Sequence, residues 1–107
     1  MLYKFKSRAA GDVIMFGRDG DRALQAMGRE PAPQGILLPQ DMPAAIAALE
    51  RVIAQEEAER RQAAEEAEAE GRPLPPDDSV ALRQRLWPLI EMLRRCHAAD
   101  KEITWGT

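Results

Sequence analysis

Cysteine, histidine, serine and aromatic residues are all scarce in this 107-residue sequence, and each scarcity removes a class of chemistry. The one cysteine, Cys96, cannot form an internal disulfide, so nothing here calls for an oxidising compartment. The one histidine, His97, stands directly beside it. Neighbours on a helix point about 100° apart, so the two do not face each other as nucleophile and base. Cys96 is expected as a small buried thiol and His97 as a part-buried boundary residue. One histidine and two serines, Ser7 and Ser79, leave no Ser–His–Asp arrangement to assemble. Gly17 and Gly20 belong to no phosphate-loop motif, and no Gly-Lys-Ser/Thr string occurs. Asp19-Gly20-Asp21 and Asp77-Asp78 do not extend into a calcium loop and read as turn and cap residues. No catalytic residue, metal or cofactor is expected.

Long apolar runs are also missing. No window approaches the roughly 20 residues of a membrane span, and the N-terminus MLYKFKSRAAGDVIMF lacks a secretory apolar core. A cytoplasmic location away from membranes is the expectation. Fifteen basic against eighteen acidic residues give a net charge of −3, which argues against nucleic-acid binding, mostly a matter of phosphate neutralisation.

What is present is enough for one domain, residues 1–107, with 45% hydrophobic residues to fill a single modest core. Leu2 to Lys6 alternates, Tyr3 and Phe5 one way and Lys4 and Lys6 the other, as a half-buried strand does. Asp12 to Phe16 carries a second strand, joined to the first by a glycine-containing hairpin loop. Gly17 to Asp21 reads as a turn whose aspartate caps a short helix bearing Ala23, Leu24 and Met27, stopped by Gly28. Ile36-Leu37-Leu38 is a brief third strand or a buried connector.

Asp41 and Pro43 open a second helix with the stripe Met42, Ala45, Ile46, Leu49, Val52 and Ile53. From 55 to 72 the residues are almost all Glu, Ala, Arg and Gln, with seven glutamates against three arginines. High propensity and the pairs Glu56–Arg60 and Glu57–Arg61 predict that the helix continues as a projecting, solvated extension. Residues 71–78 form a proline-stiffened linker, and Asp77, Asp78 or Ser79 caps a third helix. Its core face is Leu82, Leu86, Leu89, Ile90 and Leu93, and Pro88 inside it predicts a kink. Ile103 and Trp105 share a face of a last strand, placed beside the first.

The strings MLYKFKS, GDVIM, GREPAPQGI, MPAAIAALE, LWPLIEMLRR and ITWG occur together. In that combination the sequence resembles the domain-of-unknown-function 1840 family, small proteins of bacteria, mainly proteobacteria. The resemblance runs from end to end, broken by the Ala/Glu-rich segment. It implies a bacterial origin and carries no activity or site residue.

The expected fold is therefore α+β in the order ββα(β)ααβ: an antiparallel sheet of three or four strands, helices on one face, and one long Ala/Glu-rich helix. Strand order and oligomeric state are not legible in the residues. Winding the third helix at about 100° per residue puts Arg83, Trp87 and Arg94 on one flank beside the core stripe. A tryptophan between arginines has the composition of an interaction hot spot, which makes these three the candidate binding residues for a protein partner. The competing role for Trp87 is to fill the gap at the kink or pack on the second helix, favoured because aromatics make up only 5% of the chain. The expected function is a non-catalytic binding or accessory module. The alternative is a ligand-binding or enzyme domain that holds an anion between sheet and third helix through Arg8, Arg83 and His97.

Overall fold

In the computed structural model, residues 2–73 and 82–106 are described. The chain is α+β, and the described residues form three α-helices and two small antiparallel sheets. The order is β1 (Leu2–Phe5), β2 (Val13–Phe16), α1 (Gly17–Ala26), β3 (Gly35–Leu37), α2 (Met42–Ala69), α3 (Leu82–Ala99) and β4 (Ile103–Trp105). A single 3-10 turn, Pro39–Asp41, leads into α2.

The expected single sheet is replaced by two two-stranded ones, β1 with β2 and β3 with β4. The cause is strand length. The whole of β1 is already in register with β2, from Leu2 opposite Phe16 to Phe5 opposite Val13. The chain of β4 meets that of β1 only past its end, where Lys6 and Thr104 exchange N–H···O bonds of 2.8 and 2.9 Å. One bridge therefore joins the two ladders edge to edge.

Alternation along β1 buries Tyr3 and Phe5 and leaves Leu2 and Lys4 outside. Phe5 is the centre of the aromatic part of the core. It stacks on Tyr3, with centroids 6.0 Å apart, and meets Trp105 edge-on at 5.5 Å. The Trp105 indole N–H, which burial would otherwise orphan, donates to the Ala32 carbonyl at 3.0 Å. The stripe of α2 supplies Met42, Ala45, Leu49 and Ile53 to the same core, and α3 supplies Leu82, Leu86, Leu89, Ile90, Met92, Leu93 and Cys96. No described polar or charged residue lies in the buried class.

The capping expectation for α1 is corrected. Helix α1 begins at Gly17, straight out of β2, with Phe16 at the N-cap and no side-chain cap bond. Asp19 and Asp21 are thus inside the first turns, and their carboxylates go elsewhere, to Arg85 and to the Tyr3 hydroxyl. Asp41 makes no cap bond either and pairs instead with Arg29 at 3.7 Å. The expected caps Asp77, Asp78 and Ser79, and most of the 71–78 linker, fall outside the described residues.

All three helices end in the same way. Arg29 N–H reaches the Leu24 carbonyl, Arg72 the Ala67 carbonyl and Lys101 the Cys96 carbonyl, at 2.8, 2.8 and 2.9 Å. This closing bond needs a left-handed residue just before the donor. Gly28 and Gly71 fill that place at φ of 80° and 70°, whereas α3 uses Asp100 at 56°.

Beyond Ile53 the apolar stripe of α2 gives way to charge. Glu56 lies 3.8 Å from Arg22 of α1 and 3.7 Å from Arg60 one turn on. Arg85 of α3 reaches Asp19 of α1 at 3.2 Å. Ion pairs thus take over from packing where the three helices leave the core. Such part-exposed pairs orient helices more than they stabilise them.

Candidate functional site

The flank picked out on α3 exists, and its geometry follows from how α3 lies on α2. Arg83, near the start of α3, meets Glu57. Arg94, nearly three turns later, meets Glu50, two turns earlier on α2. The two helices therefore run antiparallel, and each arginine closes one end of their seam. Arg83 grips Glu57 with two prongs, Nε to Oε1 at 2.7 Å and Nη2 to Oε2 at 3.2 Å. That grip holds the Glu57 carboxyl below the usual carboxylate range and pushes the Arg83 guanidinium up. Arg94 bonds to Glu50 and also to Glu91 on its own helix, at 3.1 Å.

Trp87 stands between these two pairs. Trp87 is 42% exposed, so it is no core plug, and it lines a hollow with Glu50 and Ile53 of the second helix. The reason is rotation. Leu86, Leu89 and Ile90 take the fully buried positions of α3, which leaves position 87 on the shoulder. The Arg94 guanidinium carbon lies 5.4 Å from the indole centroid, a cation–π distance. The indole is a wall between two shallow hollows. One, about 420 Å³, is lined by Arg83, Gln84, Trp87 and Pro88. The other, about 330 Å³, is lined by Glu50, Ile53, Arg83, Trp87, Ile90 and Arg94.

Pro88 also lines the first hollow. Helix α3 runs from Leu82 to Ala99 with this proline inside it. Proline has no N–H, so the Gln84 carbonyl lacks the intrahelical donor that residue 88 would supply. An apolar ring and a fixed cation meet on one helix shoulder.

The other set of candidates is not brought together. Arg83 and His97 are at opposite ends of α3, about 21 Å apart along its axis. His97 is exposed rather than part-buried, and Arg83 is engaged by Glu57. Arg8 lies in the loop after β1, beside a hollow it shares with Lys6, Ser7, Asp12, Glu102 and Thr104. Between the sheets and α3 stand Phe5, Met15, Leu86, Leu89, Leu93 and Ile103, all buried. Cys96 is fully buried there as well.

The arginines' partners, Glu50 and Glu57, were not singled out from the sequence. The available signal was their position, Glu50 beside Leu49 and Glu57 one turn beyond Ile53, at the edge of the α2 stripe.

The fold is that of a small α+β protein, with a half-exposed tryptophan on the shoulder of α3. Residues 1–105 match the family described as Domain of unknown function (DUF1840), and the chain belongs to that family. No curated protein and no solved structure matches the chain.

Proposed function

We propose that this chain is a non-catalytic protein-binding or accessory module of the bacterial cytoplasm, and that the α3 shoulder centred on Trp87 receives the partner. The observation that carries the reading is the exposure of a tryptophan with the Arg94 guanidinium set against its ring. An indole loses little conformational entropy on binding and brings a large contact area. Here the Arg94 guanidinium beside the ring and the Arg83–Glu57 pair further fix its surroundings before any partner arrives. Preorganisation of this kind lowers the cost of association. Because both arginines are already paired with glutamates, the partner does not need to be strongly acidic. An apolar side chain that covers the indole fits the shoulder best. The bacterial setting rests on the family resemblance, and the cytoplasmic one on the lone, unpaired Cys96.

The test compares tagged wild type with the Arg83→Ala, Trp87→Ala double variant in capture from a lysate of the producing cells, with the thermal melting of each recorded alongside. The expected result is a protein enriched by wild type, lost with the variant, at nearly unchanged melting temperature. Equal enrichment by both proteins, or none under gentle crosslinking, refutes the reading.

A further inference from the structure

A second surface, independent of the α3 shoulder, carries an inference of its own. Six large apolar side chains are exposed among the described residues, and five of them lie on the strand side of the molecule: Leu2, Ile14, Phe16, Ile36 and Leu38. Register puts them on one face, Leu2, Ile14 and Phe16 in one part and Ile36 and Leu38 in the other. Leu2 is directly opposite Phe16, Lys4 opposite Ile14, and Ile36 opposite Thr104, which in turn bridges to Lys6. Residues that alternate with buried Tyr3, Phe5, Met15, Leu37 and Ile103 must share the outer face. Phe16 is the most open of them, at 77%. With about 200 Å² for a large side chain, the exposed fractions of these five sum to roughly 500 Å² of apolar surface. Lys4, Lys6 and Thr104 stand between its two parts, and the total is of the size of the largest patch a typical monomer shows.

We infer that this outer face is the contact surface for a second copy of the same chain, related to the first by a two-fold axis. Three features select that occupant. The first is area: with the stems of Lys4 and Lys6 and with Thr104, each copy would bury on the order of 800 Å², the share expected of one partner in a standard stable interface. The second is charge. The face carries Lys4, Lys6 and Arg8 together with Asp12 and Glu102, and Lys4 already lies 3.6 Å from Asp12. Both signs on one face allow a two-fold mate to set its carboxylates against these cations. An anionic lipid surface would meet the two carboxylates instead. The third is the edge itself. β2 has β1 as its one sheet partner among the described residues, and its four residues, Val-Ile-Met-Phe, include neither charge nor proline to block further pairing. An isologous contact covers the same patch on both copies and closes, so it leaves no apolar face for open-ended growth.

The test is the mass in solution by sedimentation equilibrium at tens of micromolar, for wild type, Phe16→Ser, Ile14→Lys and Trp87→Ala. Both sheet variants alter exposed side chains, and serine is a favoured residue at the helix N-cap that Phe16 occupies, so folding is retained and circular dichroism verifies it. Wild type and Trp87→Ala are expected at twice 11.9 kDa, and the two sheet variants at 11.9 kDa. A single-chain mass for wild type overturns the inference, and a monomer that floats with phosphatidylserine vesicles in a Phe16-dependent way assigns the face to lipid. A dimer that survives both sheet substitutions, or is lost in Trp87→Ala, also overturns it.

Discussion

Tyr3 is the chain's only tyrosine, which makes its ionisation directly observable. Burial, and then the Asp21 carboxylate that accepts its hydrogen bond, pushes its pKa up to about 12. An unfolded tyrosine titrates near 10. Between these values the unfolded chain gives up a proton that the folded chain keeps, so stability is full below about pH 10 and declines as pH rises towards 12. Absorbance titration of the phenolate should show the late midpoint, and Tyr3→Phe should lose the part of the alkaline stability decline that comes from this group. A midpoint near 10 in the folded protein would mean that Tyr3 is neither buried nor bonded to Asp21. Asp100 gives a second residue-scale prediction. It holds the left-handed position that glycine holds in α1 and α2, and it puts a negative charge at a helix C-terminus. Asp100→Gly should stabilise the fold by about 0.5–1 kcal/mol in urea denaturation. Gly35 predicts the opposite. A Cβ there would lie 2.0 Å from the Trp105 ring, so Gly35→Ala should cost about 1–3 kcal/mol as an overpacking change.

Elements were more legible than their neighbours. The alternation Tyr3, Phe5 and the helical stripes through Met42–Ile53 and Leu82–Leu93 point to the residues that are buried, because burial is what creates such periodicity. What could not be read is how elements meet. The start of α1 was hidden because Gly17-Arg18-Asp19-Gly20-Asp21 has turn composition, yet the chain coils at once after β2 and spends its aspartates on Tyr3 and Arg85. The arginine flank was visible as a winding pattern, but Glu50 and Glu57 become its partners only through the antiparallel seam of α2 and α3. The outer apolar face was hidden too: Val-Ile-Met-Phe without alternation reads as a strand, and says nothing of which side stays open. The seam gives an element-scale prediction. Leu86→Ala and Leu89→Ala should each cost about 2–5 kcal/mol, since both are fully buried between helices and sheet. Trp87→Ala, one position along from Leu86, should cost much less, and the contrast in chemical denaturation checks the rotation of α3.

On the scale of the whole molecule, the body is elongated, 52 × 27 × 22 Å, because the 28 residues of α2 reach about 42 Å, longer than the other two dimensions. The two accessible apolar features among the described residues are on different elements: the Trp87 shoulder on α3 and the outer face of the strands. A module that joins two copies through its sheet and a partner through its helices has a use for such a separation. The most direct measurement of the central claim is site-specific photo-crosslinking in the producing cells from Gln84, which lines the hollow beside Trp87. The account predicts one dominant protein adduct that disappears when Trp87→Ala is added. An absence of adducts, or the same adducts with and without the indole, would contradict it.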